Sequence, residues 1–251
     1  MKKTFLRVSI IFIITFSIVS GLGGSSIGMF APVNGVETQS NKPNELTEIK
    51  RPDVSLKRLK AGNERFQKNK PIEVDVSSAK RETLVNGQNP CAVIITCSDS
   101  RVPPELIFNQ GLGDLFVIRV AGNVMDKIEL GSVEYAVEHL NTSLIVVMGH
   151  EHCGAVGAAV ESDGKKDGGN IETIIEKIQP SIDKVKSDEK IKSQNLKGEK
   201  LIEAVCDENI NNSTLEIEKS EVIKKELKKG NIKVVEAKYM LETGKVKWFN
   251  K

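Results

Sequence analysis

Three short apolar runs punctuate the middle of the chain: AVIIT at 92–96, LFVIRV at 115–120 and LIVVM at 144–148. Each is rich in β-branched residues and too short for a stable helix, which predicts buried strands. Between the second and third lies DKIELGSVEYAVEHLN, where Val133, Ala136, Val137 and Leu140 recur at the i, i+3, i+4, i+7 spacing of one helical face. Strands alternating with helices predict βαβ units, hence an α/β fold with a mainly parallel central sheet flanked by helices. Beyond Cys153 the periodicity predicts helices around 170–187, 198–211 and 220–228. The charged run KSDEKIKSQNLKGEK at 186–200 reads as a solvated helix face and loop. The closing NIKVVEAKYMLETGKVKWF reads as strand, Glu-Thr-Gly turn and strand.

The start of the chain has a different pattern. Lys2, Lys3 and Arg7 precede a predominantly apolar stretch from Val8 to Val19, followed by small residues. This is the charge and length pattern of a secretory signal peptide over residues 1–31, with an uncleaved N-terminal anchor as the alternative. Residues 32–52 are polar, contain Pro32, Pro43 and Pro52, and read as a linker. The folded domain is expected over 53–251, in an exported protein, whether secreted, periplasmic or at the cell surface. Overall, 36 Lys and Arg face 34 Asp and Glu, and aromatics make up only 4%. That balance offers neither a phosphate-tracking stripe nor a base-stacking platform, so nucleic acid is not an expected partner. Gly111 and Gly113 in NQGLGD lack the third glycine and following helix of a phosphate loop.

Export would place four cysteines, Cys91, Cys97, Cys153 and Cys206, in an oxidising compartment, where two disulfides are one reading. The neighbours of Cys97 and Cys153 favour another. The first strand ends in CSDSR, presenting Cys97, Asp99 and Arg101; the third ends in GHEHCG, presenting His150 and Cys153. Ligands of open α/β sheets bind beyond the carboxyl ends of strands, so the two segments can converge there. Two thiols and an imidazole suit Zn²⁺, and three protein ligands leave a fourth position open for chemistry. Such a zinc lowers the pKa of its water to about 7 and supplies hydroxide at neutral pH. Asp99 is placed either to accept a hydrogen bond from that hydroxide or to take the fourth position and shut the site. Arg101 decides between the two by clamping Asp99 in a charge-assisted pair.

The C-x-D-x-R and H-x-x-C pair, with GDLFVIRVAGN, GSVEYAVEHL, IVVMGHEHCGA and KYMLETGKV in that order, resembles the β-class carbonic anhydrases. These are zinc enzymes that interconvert carbon dioxide and bicarbonate. The resemblance implies Cys97, His150 and Cys153 as ligands of one Zn²⁺ per subunit, with Asp99 and Arg101 as a catalytic dyad. It implies that Gln88 reaches the substrate from a partner subunit, so that a homodimer is the minimal unit. It further implies that Phe116 and Tyr135 line a small pocket across that interface, and that the Gly154 N–H holds a substrate oxygen. Ala121 stands where some members have valine. A tryptophan that accompanies an inhibitory bicarbonate pocket in some members is replaced by Ile94, although the arginine of that pocket is kept as Arg119; a resting site with Asp99 paired to Arg101 is expected.

Of the three histidines, His139 reads as a packing or surface residue. His150 and not the neighbouring His152 reads as the ligand, and proton transfer to buffer is one alternative role for His152. Cys91 reads as a small buried hydrophobe. The alternatives are a hydrolase of carbonyl sulfide or carbon disulfide on the same scaffold, a redox protein using Cys97 and Cys153, and a structural zinc module.

Overall fold

The computed structural model describes residues 51–165, 168–192 and 194–249; the expected signal segment and nearly all of the expected linker lie outside them. The folded chain opens with α1 (Pro52–Gln67), which has proline in its first turn, and a short α2 (Ser78–Thr83) capped by the Ser77 hydroxyl. Then come β1 (Ala92–Thr96), α3 (Pro104–Ile107), β2 (Leu115–Arg119), a 3₁₀ turn (Ala121–Asn123), α4 (Lys127–Leu140) and β3 (Leu144–His150). The C-terminal half supplies α5 (Gly154–Ser162), α6 (Ile171–Ser187), α7 (Glu189–Lys192), α8 (Glu199–Glu218), α9 (Glu221–Lys228), β4 (Lys233–Tyr239) and β5 (Val246–Trp248).

The five strands form one sheet in the order β2-β1-β3-β4-β5. All pairs are parallel except the antiparallel β4–β5 hairpin. The expected α/β architecture is therefore the one observed. Successive β1 and β3 residues point to opposite faces. Ala92, Ile94, Leu144, Val146 and Met148 pack with Leu59 of α1 and with Phe108, whereas Val93, Ile95, Ile145 and Val147 pack with α4, α8 and α9. Both faces are covered, which is why these strands read as continuous apolar runs and not as alternations.

Two elements run further than their sequence pattern suggests. β3 continues past Met148 to His150, because His150 still pairs in register with Tyr239 of β4. The helix expected over 198–211 continues as α8 to Glu218. The Asn-Asn-Ser-Thr run that should weaken it turns Ser213 and Thr214 inward: the Ser213 hydroxyl donates to Asn123 O at 2.9 Å and Thr214 to Ile210 O at 2.9 Å. Tertiary burial overrides helix propensity there. All four cysteines are free thiols. Cys91 and Cys206 belong to different core clusters, one against α1 and one at the carboxyl ends of the strands, so no disulfide joins them. Among the described residues no helix is long and apolar enough to cross a membrane.

Candidate metal centre

The chain leaves β1 in one direction to form β2 and later returns on the other side as β3, so the carboxyl ends of β1 and β3 flank a switch point. Cys97 follows the last residue of β1, and His150 is the last residue of β3. A buried bond from Thr96 Oγ1 to Met148 O, 2.8 Å, fixes the two ends against each other. Cys153 caps α5 three residues on. The ligand-type atoms of Cys97, His150 and Cys153 all lie within 4.8 Å of one another, and all three residues are buried.

Each member of the trio is held in an orientation suited to metal binding. His150 Nδ1 lies 2.7 Å from the Glu151 carbonyl, which assigns the proton to Nδ1 and leaves Nε2 as the lone pair. That Nε2 is buried with no hydrogen-bond partner among the described residues. An orphaned buried nitrogen facing two thiols is costly in a purely structural role and is what a metal ligand requires. The Sγ atoms of Cys97 and Cys153 are 4.0 Å apart, well beyond a disulfide's bond of about 2.05 Å. Their contact, His150 and the Gly122 N–H, 3.3 Å from Cys97 Sγ, push the Cys97 thiol well below the range of a free thiol. The same contact, together with burial, pushes Cys153 up. Gly122 can present its N–H this way because its φ of +71° is a conformation that side chains disfavour. A tetrahedral zinc site of the S-N-S kind fits this donor set.

Beside the trio, Asp99 is gripped by Arg101 and lies with Oδ2 3.9 Å from His150 Nε2. The Arg101 hydrogen bonds hold the Asp99 carboxyl well below the usual carboxylate range, against its partial burial. Arg119 completes the loop from the end of β2, donating to Cys97 O at 3.1 Å and Asp99 O at 2.6 Å. It therefore acts on the backbone of the metal loop. Ile94 is fully buried in the core.

The remaining residues singled out in the sequence are less concentrated. Gly154 is the exposed first residue of α5, and half-buried Ala121 opens the turn that carries Gly122. Gln88 lies exposed before β1 and makes no hydrogen bond to the trio or to the dyad. Phe116 and Tyr135 form an aromatic pair, ring centroids 6.2 Å apart, flanking the edge strand β2, with Tyr135 47% exposed. Phe116 packs against the core cluster of Val93 and Ile95, a different cluster from the one that holds Cys97 and Cys153. His139 is exposed and packs with its ring tilted against that of Tyr135, centroids 5.1 Å apart. His152 is turned out of the site, 55% exposed, with Nδ1 2.6 Å from Glu199. Sequence reasoning missed the polar side chains that α8 aims at the site: Glu203, which accepts the His152 N–H, and Asn209, which donates to Gly122 O at 2.6 Å. Charged residues inside a strand-like segment, Glu236 and Lys238 of β4, were the available signal, and both are buried.

Fold and site together define an α/β protein with a buried Cys-His-Cys metal-type centre at the carboxyl ends of a parallel sheet. A family profile described as "Carbonic anhydrase" matches residues 92–246, and the chain belongs to this family. It is 50% identical over 133 residues to carbonic anhydrase 2 of Mycobacterium tuberculosis, a match covering 52% of this chain and 64% of that relative's length. Among solved structures it resembles the β-carbonic anhydrase CcaA at 30% identity and a TM-score of 0.62, covering 78% of this chain and 95% of that one. The tetrameric β-carbonic anhydrases of the ascomycete Sordaria macrospora share the fold, at 24% identity and a TM-score of 0.62, over 79% of this chain and 95% of theirs.

Proposed function

We propose that this chain is a zinc-dependent carbonic anhydrase that reversibly hydrates carbon dioxide to bicarbonate. The observation that carries the reading is the convergence of Cys97, His150 and Cys153 within 4.8 Å beside an Asp99 already held by Arg101. Zinc held by this trio would supply an activated water at neutral pH, the chemistry that CO₂ hydration needs. Asp99 is charged and acceptor-only, so it orients the nucleophile by accepting its hydrogen. With both Asp99 oxygens bonded to Arg101, the dyad would hold the carboxylate back from a metal on the trio, which supports the reading of an open resting site. The Gly154 N–H, at the first position of α5 where a helix leaves its N–H groups without intrahelical partners, is suited to a substrate oxygen.

The pocket is completed by a second copy. Gln88 and Tyr135 are exposed, and partly buried Phe116 of the edge strand β2 pairs with Tyr135, which suits them to serve a neighbour's site. An open parallel edge and an aromatic pair beside it favour a homodimer or larger homo-oligomer, and the Sordaria macrospora proteins of this fold are tetrameric. The catalytic domain spans 53–251, and the N-terminal pattern supports export through residues 1–31; N-terminal sequencing of the secreted fraction tests both the export and the cleavage position.

The activity is tested by stopped-flow CO₂ hydration with the zinc-loaded chain and its Cys97→Ser variant. Rapid acidification by the parent and none by the variant is expected. A zinc-bound parent that stays silent with CO₂ would overturn the reading, and turnover of carbonyl sulfide or carbon disulfide would then replace it.

A further inference from the structure

The two residues between His150 and Cys153 must reverse the chain from β3 into α5, and His152 does so with φ at +51°. Left-handed backbone is uncommon for a residue with a side chain and needs outside support. The support is specific. The His152 N–H donates to Glu203 Oε1 at 2.8 Å, and its carbonyl accepts from Arg101 Nη2 at 3.3 Å. Glu203, on α8, uses its other oxygen on Lys238 Nζ at 2.6 Å. Lys238 is 7% exposed and places its remaining donors on Asp207 Oδ1, 2.7 Å, and Glu203 O, 3.4 Å. Its strand position pairs with Gly149, the residue immediately before His150.

A lysine buried this deeply is retained only when its charge is fully answered. Here the answer is two carboxylates from successive turns of α8, one of which goes on to hold the metal loop. Burial alone would raise the Glu203 carboxyl; Lys238 and the His152 N–H overcome it, so Glu203 stays ionised with both oxygens committed. The tie runs from β4 through α8 to the backbone between two members of the trio, and the His152 carbonyl links that same peptide segment to Arg101 of the dyad.

We propose that Glu203, held in place by Lys238, is a positioning residue that sets the spacing of His150 and Cys153 and, through the His152 carbonyl, the placement of Arg101. This rests on the reading of the trio as a zinc site. Removing Glu203 frees the N–H of the left-handed His152 and leaves only the 3.3 Å bond from Arg101 on its carbonyl, so the loop relaxes and the two ligands separate. Glycine at position 152 adopts the same backbone without help and should make the tie dispensable.

The test compares the zinc-loaded full chain with Glu203→Ala, Glu203→Gln, Lys238→Met and the double variant Glu203→Ala/His152→Gly. The readouts are zinc release to a chelator and the absorption spectrum of the cobalt-substituted protein, with melting temperature measured alongside. Glu203→Ala is expected to release zinc about 10–100-fold faster and to shift the cobalt bands. Glu203→Gln, which keeps an acceptor for the N–H, and the glycine double variant should recover much of the difference. Parental release and spectrum in Glu203→Ala would overturn the proposal even if the variant melts lower. Should that variant not fold, parental behaviour of both Glu203→Gln and Lys238→Met, or no slowing of release in the double variant relative to Lys238→Met, would overturn it instead. A parent that binds no zinc would refute the zinc site itself, a separate outcome.

Discussion

Arg101 grips Asp99 through two parallel side-chain bonds, Nε to Oδ1 at 2.9 Å and Nη2 to Oδ2 at 2.7 Å, while its own backbone N–H reaches Oδ1 at 2.9 Å. The pair is local, with one residue between its members, and so forms as soon as the loop after β1 forms. Its placement beside His150 is not local: it depends on β1 and β3 ending side by side.

Arg101→Lys keeps the charge but not the fork. Losing one charge-assisted bond, worth about 1.5–3 kcal/mol, should lower kcat/KM roughly 10–100-fold while zinc content stays parental. Steady-state CO₂ hydration beside metal analysis checks this; parental activity would remove the dyad from the mechanism.

Gln88→Ala should lose activity although the residue lies on its own subunit's surface. Mixing it with inactive Cys97→Ser and reassembling should recover about a quarter of parental activity, because half of the dimers are hybrids and each hybrid has one complete site. No recovery would place Gln88 outside the neighbour's site.

His152→Ala keeps the backbone N–H that binds Glu203 and removes only the exposed ring. Zinc content should not change. Turnover should become dependent on added buffer, as measured by stopped flow over a buffer series; an unchanged buffer dependence would exclude the ring from proton transfer.

Gly62→Ala tests the packing of α1 against Phe108 at the end of α3. A Cβ there would stand 1.8 Å from Phe108 O and 2.7 Å from the Phe108 carbonyl carbon, and backbone cannot yield as a side chain does. A destabilisation of about 3 kcal/mol or more is expected, read by denaturant unfolding at constant zinc.

Cys91 should make the fold sensitive to alkali. Burial pushes its thiol from 9.0 up to about 11, so the folded state keeps a proton that the unfolded chain gives up. Its contribution is whole below pH 9 and falls away as the pH rises toward 11, by about 2–3 kcal/mol at the top of that window. Cys91→Ala should flatten this part of the stability-pH curve; equal slopes for the two proteins would refute the assignment.

What the sequence determined by itself is what short-range chemistry controls. Apolar runs of five or six residues mark buried strands, the i, i+3, i+4, i+7 face marks α4, and C-x-D-x-R and H-x-x-C place reactive groups just past two strand ends. The Asp99–Arg101 pair was legible because one residue separates its members. The tertiary structure decided which elements meet. α8 runs to Glu218 with Ser213 buried and its hydroxyl bonded to Asn123 O, a residue 90 positions away in sequence, which is a contact invisible to propensity. The choice of His150 over His152 follows from the register that carries β3 as far as Tyr239 and from the turn that swings His152 outward. Glu203 and Asn209 looked like ordinary surface polarity, since nothing in a helix or strand pattern says that a carboxylate near residue 200 will reach an N–H near residue 150. Hydrogen bonds of that kind act over about 3 Å, and only the packing of α8 against the ends of β3 and β4 brings the groups within that distance.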